Sequence, residues 1–200
     1  MCGIAGLMTR DNSAPDAAML DHFARALGHR GPDGEGKYLV DPVAMVQTRL
    51  AIIDLKTGDQ PFFESGGAAL IANAEIYNFH ELRETLKGVD FTSASDCEPP
   101  LHLYRRDGLD FVDALRGMYA LAIHDPTESR LVLTRDPFGI KPLYYYNDGN
   151  RFLFASEQTS ILKCGSKLLD LQVDAIGLEH FFIFGDFPAP YSIFKTVRKL

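Results

Sequence analysis

Several things are scarce in this sequence, and each scarcity removes a class of protein. Its 200 residues hold only three cysteines, at 2, 97 and 164. The count is odd and no Cys-x-x-Cys pair occurs, so a disulfide framework is not expected, and a reducing, cytoplasmic setting is. Positive charge is in deficit: 20 Lys and Arg stand against 27 Asp and Glu, a formal net charge of −7. No Lys/Arg stripe reverses that balance, which argues against nucleic acid as a partner. No apolar run approaches the roughly 18 residues a membrane helix needs, and no charged-then-apolar leader opens the chain, so no membrane association is expected. The six histidines (22, 29, 80, 102, 124 and 180) fall at no metal-ligand spacing, and no metal site is expected. Repeats and low-complexity segments are absent.

What remains is a composition that is 46% hydrophobic and 24% charged, enough for one sizeable core. Residues 2–9 are small and apolar and read as a strand buried on both faces. Pro15-Asp16-Ala17-Ala18 opens a helix whose stripe is Leu20, Phe23, Ala24 and Leu27, with Gly28 placed to stop it. Strands are predicted over 38–40, 43–46 and 50–53, the first two joined at Asp41-Pro42. Ser65-Gly66-Gly67 marks a hairpin turn before a strand over 69–72. Asn78 is placed to cap a helix carrying Leu82 and Leu86. Another helix follows Asp96, with Pro99 and Pro100 in its first turn, where missing N–H groups do no harm. A further helical stretch covers 109–116. Strands over 118–123, 131–134, 143–146 and 152–155 are separated by turns at Asp125-Pro126, Pro137-Phe138-Gly139 and Asn147-Asp148-Gly149. A helix over 174–184 precedes a rigid, extended Phe187–Tyr191. Strands running as hairpins with helices in blocks predict two mainly antiparallel sheets packed together, with helices outside.

The residue with most chemistry is Cys2. Removal of Met1 would give it a thiol and a free α-amine on one residue, with reference pKa values of about 8.5 and about 7.7–8.0. Nucleophile and base would then lie side by side with no histidine needed. The bland alternative is a buried, inert start to the first strand. Three further polar residues stand out, two at ends of apolar strands and Asp96 at a helix start. Arg49, read as opening the strand 50–53, is a fork for a carboxylate or half of an ordinary salt bridge. Asn73, beside a free backbone N–H, is an oxyanion donor or a turn-bonding side chain. Asp96 is a partner for a substrate ammonium or a helix N-cap. Taken singly, each has an ordinary explanation.

Taken together, the motifs have a family order. Met1-Cys2-Gly3-Ile4-Ala5-Gly6, Arg30-Gly31-Pro32-Asp33, Arg49-Leu50-Ala51-Ile52-Ile53-Asp54, Asn73-Ala74-Glu75-Ile76-Tyr77-Asn78, Ser95-Asp96-Cys97-Glu98 and Arg135-Asp136-Pro137-Phe138-Gly139 resemble the N-terminal class II glutamine amidotransferase domain of glutamine-hydrolysing asparagine synthetases. The resemblance implies an α+β fold, the αββα four-layer sandwich of N-terminal-nucleophile hydrolases with two mainly antiparallel sheets. It implies a glutaminase domain over 1–184 and, over 185–200, the start of a linker towards a C-terminal synthetase domain in the same polypeptide. It also implies roles. Cys2 would attack the side-chain amide of L-glutamine and carry a γ-glutamyl thioester. Asn73 and the N–H of Ala74 would hold the oxyanion. Arg49, with backbone groups of Leu50, Ala51, Ile52 and Ile53, would grip the α-carboxylate, and Asp96 and Glu75 would receive the α-ammonium. No cofactor is implied for this segment; ATP and magnesium would belong to the synthetase domain, where the ammonia would amidate aspartate. A homodimer is left open.

Two departures bear on activity. The family has Asn-Gly-Glu where this chain has Asn73-Ala74-Glu75, and an added Cβ could disturb the second oxyanion donor. Pro99-Pro100 replaces aliphatic residues and could shift Asp96. The alternatives are therefore a weakened glutamine-binding or regulatory module, or a glutaminase domain serving another acceptor.

Overall fold

The computed structural model describes every residue except Asn12, 164–168 and Asp170; Cys164 lies outside the described residues. The chain runs β1 (Gly3–Thr9), α1 (Ala17–Leu27), β2 (Gly34–Val40), β3 (Val43–Arg49), β4 (Phe62–Phe63), β5 (Ala69–Ile76), α2 (Phe79–Thr85) and α3 (Pro99–Asp107). A 3-10 helix (Gly108–Ala114) leads into β6 (Gly117–Asp125), β7 (Arg130–Arg135), β8 (Tyr144–Asn147), β9 (Arg151–Ala155), α4 (Gln158–Lys163), α5 (Ala175–Phe184) and β10 (Val197–Lys199). Among the described residues, ten strands form a six-stranded sheet, ordered β10-β8-β9-β1-β3-β2, and a four-stranded sheet, ordered β4-β5-β6-β7. Every strand pairing is antiparallel.

Alternation along the strands builds the layers. Successive side chains of a strand face opposite ways, and here both faces are apolar. In the larger sheet, Ile4, Val43, Met45 and Phe154 point to the other sheet, while Ala5, Leu7, Ala44, Val46, Leu153 and Ala155 point outward under Phe23 and Leu27 of α1 and Ile161 of α4. In the smaller sheet, Ala69, Ile71, Ala120 and Ala122 face inward. Leu70, Ala72, Leu121 and Ile123 face outward under Leu82, Leu101, Leu103, Tyr104 and Phe111. The order is helix, sheet, sheet, helix, the four-layer arrangement implied by the resemblance. Close packing of the inner layer depends on Gly6, whose missing Cβ would meet Ala44 O and the Phe154 ring at 2.6 Å.

Several local expectations hold for the predicted reasons. Asp16 caps α1 by accepting from Ala18 N at 2.9 Å, and the β2–β3 hairpin turns at Asp41-Pro42. Pro99 and Pro100 occupy the first positions of α3. Others need correction. Arg49 ends β3, and residues 50–53 form a loop, with Ile52 65% and Ile53 38% exposed. Their apolar character lines a cavity rim instead of a sheet. Asn78 does not cap α2; its side chain bridges Ala114 O and Arg116 N. The stretch 109–116 is mainly 3-10. Phe187–Tyr191 contains a turn closed by Tyr191 N donating to Pro188 O at 2.9 Å. Residues 185–200 come back to the larger sheet, where β10 pairs with β8 through Val197 opposite Tyr146.

Candidate active site

The start of β1 and the end of β5 meet at one end of the sandwich. There, Cys2, Arg49, Leu50, Ile52, Ile53, Asn73, Ala74, Glu75 and Asp96 line a single cavity of about 80 Å³, with the exposed Met1 on its rim. Nine of the predicted residues are thus brought together. Ala51 is not part of the lining; its N–H is spent on Asp33 Oδ2 at 2.9 Å.

On the larger-sheet side, the thiol and the arginine are both held. Leu50 N donates to Cys2 Sγ at 3.4 Å, and the thiol lies 3.6 Å from Leu50 O. Arg30 Nε fixes the Cys2 carbonyl at 3.0 Å while its Nη1 pairs with Glu157 at 2.9 Å. Gly31 makes this loop possible, since a Cβ there would lie 2.3 Å from the Thr48 carbonyl carbon. Asp33 N donates to Arg49 O at 2.9 Å, so Arg30-Gly31-Pro32-Asp33 braces the cysteine and the arginine at once. The Arg49 guanidinium is 9% exposed and donates through Nη1 to Asp59 at 2.7 Å, and through Nη2 to Ile53 O and Asp54 O. A guanidinium carries five N–H groups, so its Nε–H and one Nη1–H are left without an acceptor among the described residues. Arg49 is therefore a paired arginine that still has donors to give.

On the smaller-sheet side, the strand edge is open. β4 is only two residues long and pairs with Leu70 and Ala69, so the rest of β5 has no strand neighbour on that side. Alternate N–H groups along a strand point the same way. That of Ala72 goes to Gln60 Oε1 at 2.6 Å and that of Ile76 to Asp96 Oδ2 at 2.8 Å. The Ala74 N–H lies between them on the same edge, and no side chain among the described residues accepts it. Asn73, 2% exposed, carries a buried Nδ2 with no hydrogen-bond partner. Two N–H donors in adjacent residues are thus unspent at the cavity wall. Ala74 has no positive φ, and it packs against the outer apolar cluster, so this strand does not need a glycine there.

Asp96 is not a helix cap. Glu98 occupies that position in α3, and the Asp96 carboxylate ties its loop to β5. Pro99-Pro100 leaves Asp96 on the cavity wall. Burial raises the pKa of Asp96, the Ile76 N–H and Cys97 oppose this, and the nearby Glu75 charge adds to the rise. Cys97 is buried, held well above the usual thiol range by burial and by the Asp96 charge; its Sγ is 3.7 Å from Ala74 O and 3.6 Å from Asp96 Oδ1. Beneath, the fully buried Glu98 accepts from the N–H and hydroxyl groups of Thr92 and Ser93 at 2.6–2.9 Å. Despite burial, those donors and the neighbouring His102 hold its pKa down at about 2.

Sequence reasoning missed Lys141, Gln60, Ser95 and Cys97 as cavity-lining residues. Lys141 had a signal: it lies two residues beyond Arg135-Asp136-Pro137-Phe138-Gly139. Asp136 accepts from Ile140 N and Lys141 N at 2.9 and 3.0 Å, and Arg135 Nε donates to Lys141 O at 2.8 Å. The motif's local task is to hold Lys141. Among the described residues, no group of three or more His, Cys, Asp or Glu is placed to hold a metal, and no helix is long and apolar enough to cross a membrane. Cys2 and Cys97 are free thiols.

A family model described as a glutamine amidotransferase domain matches residues 1–200. An asparagine synthetase (glutamine-hydrolysing) 2 of Bacillus subtilis is 40% identical over 80% of this chain and 22% of its own length. An asparagine synthetase (glutamine-hydrolysing) 1 of the same organism is 35% identical over 100% of this chain and 32% of its own. Another from Arabidopsis thaliana is 40% identical over 80% and 28%. The chain therefore spans between about a fifth and a third of the length of these relatives. Among solved structures, glutamine phosphoribosylpyrophosphate amidotransferase of B. subtilis superposes with a TM-score of 0.68 at 24% identity, over 82% of this chain and 44% of that one. That likeness is one of fold. On its motifs, its four layers and the full-length family match, the chain belongs to the glutamine amidotransferase domain family.

Proposed function

We propose that this chain is the glutamine-hydrolysing part of an asparagine-synthetase-type enzyme, releasing ammonia for ATP-dependent amidation of aspartate by a further domain of the same polypeptide. One observation carries the glutaminase reading: the Cys2 thiol shares a small cavity with two unspent N–H donors, Asn73 Nδ2 and Ala74 N, and with a partly free arginine and a buried carboxylate. With Met1 removed, the Cys2 amine takes the thiol proton and the sulfur attacks the carboxamide carbon of glutamine. The developing oxyanion meets the Asn73 and Ala74 donors, which need no rearrangement to receive it. The amine returns its proton to the departing ammonia, and water cleaves the thioester to glutamate. Arg49 takes the α-carboxylate through its remaining N–H groups, and Asp96 faces the α-ammonium. ATP and magnesium belong to the synthetase domain. The resemblance to asparagine synthetases supports aspartate as acceptor.

The test is glutamate release from glutamine by the mature protein, with Cys2→Ala beside it. Turnover abolished by Cys2→Ala is the expected result. Glutamine binding without turnover, or a mature protein that keeps Met1, would instead make the chain a glutamine-binding module.

A further inference from the structure

One charged pair in the cavity involves Glu75, which the resemblance assigns to the substrate ammonium but whose carboxylate is paired with Lys141 in the structure. Lys141 is 3% exposed in its side chain, and its Nζ lies 2.8 Å from Glu75 Oε1, whose side chain is 42% exposed. Burying an ammonium costs several kcal/mol unless it is paired, and the turn that delivers it is anchored by the backbone bonds to Asp136 and Arg135 described above. Both residues line the same cavity as Asp96. Glu75 sits one residue from Ile76, whose N–H holds the Asp96 carboxylate, so two acids share this end of the site.

We infer that Lys141 is a positioning residue for substrate: by neutralising Glu75 it lets Asp96 face a substrate ammonium as an ionised carboxylate. This rests on the glutaminase reading and adds a determinant of substrate affinity to it. Charged groups pack around Asp96 from several elements, and the cation of α2, Arg83, is spent on Ser93 O and Ser95 O. From β5 comes Glu75, whose charge favours the protonated form of Asp96. Its own loop supplies the neutral Cys97 thiol, and Glu98, which is turned towards Thr92 and Ser93. Cys2 precedes β1. Arg49 ends β3 with its charge shared between Asp59 and two carbonyls. Lys141 is therefore the cation assigned to Glu75. Without it, two carboxylates compete for one ionised state, as like charges in a shared site do.

The test combines Lys141→Met, Lys141→Arg and the double variant Lys141→Met/Glu75→Gln. In Lys141→Met the acid limb of kcat/KM should move up by ~1 pH unit, the size of effect an uncompensated neighbouring charge has. KM for glutamine on that acid limb should rise about tenfold, the equivalent of that one unit, with kcat changing less than about twofold. Lys141→Arg should keep the wild-type profile, and the double variant should bring the acid limb back, because the charge left unpaired is gone. A titration of the Asp96 carboxyl by carbon NMR follows the same shift without turnover. An unmoved Asp96 titration, an unmoved acid limb in a folded Lys141→Met, or a double variant no better than the single one overturns the inference. A wild-type protein that releases no glutamate overturns the glutaminase reading instead, and the NMR titration still decides the pairing.

Discussion

The two walls of the cavity are built on opposite terms. On the larger-sheet wall, Cys2, Ala51 and Arg49 are engaged by protein groups, through Arg30, Asp33 and Asp59. On the smaller-sheet wall, Asn73 Nδ2 is buried and unpaired, and the Ala74 N–H lies on an edge that no strand covers. A buried donor without a partner costs about 1–3 kcal/mol. The fold tolerates that cost where an oxyanion would sit, while on the opposite wall Leu50 N and Arg30 Nε hold the Cys2 thiol and carbonyl. One wall is made for rigidity and the other for an interaction that exists only during reaction.

That contrast can be broken most sharply at Asn73. Asn73→Ala should lower kcat by roughly 10²–10³, the usual loss for an oxyanion donor, while thermal stability stays level or rises, because no protein hydrogen bond is lost. A fall in melting temperature with little change in kcat would mean the amide is structural. At Arg49 the opposite balance is expected. Arg49→Lys should raise KM for glutamine about tenfold or more, the worth of a charge-assisted hydrogen bond, and also lower stability, because Asp59, Ile53 and Asp54 lose their donor. Steady-state kinetics and a melting curve on the same preparation give both readings.

Glu98 sharpens the comparison from below, since it supports the Asp96 loop without touching the cavity. Its folded pKa of about 2 lies under the unfolded value. Its stabilisation is therefore complete above the unfolded pKa and is lost as pH falls through about 2. The difference corresponds to about 3 kcal/mol at neutral pH. Glu98→Gln should cost stability on that scale at pH 7 and converge on wild type near pH 2 in denaturant melts. A constant difference across that range would show that ionisation is not what matters. The smallest effect is expected at Ala74→Gly: the strand has no need of positive φ there, so kcat should stay within about twofold.

Most of the fold could be read from the chain because alternation and turn chemistry agree along β1, β3, β5, β6 and β9, where small and branched apolar residues face two layers at once. The exceptions share one cause. Leu50–Ile53 has the composition of a strand, but its apolar side chains line a rim, and composition alone does not separate a rim from a sheet. Asn78 has the chemistry of a cap, yet a non-local bridge to Ala114 and Arg116 takes its side chain. Cys2 and Asn73 could be found as polar residues at strand ends and Asp96 as an acid before a helix. Their convergence could not, because it depends on how two sheets meet. Gln60 was hidden for the same reason, and Lys141, although its turn is held locally by Arg135 and Asp136, meets a Glu75 that lies 66 residues away.

The central claim is that Cys2, freed of Met1, forms a covalent acyl intermediate against the open edge of β5. It is tested most directly by acid-quenching the protein during glutamine turnover and measuring its intact and peptide masses. The account predicts a chain that begins at Cys2 and carries one glutamyl group on that residue, enriched in variants with slow thioester hydrolysis. A chain that still begins at Met1, or turnover with Cys2 never modified, would contradict it.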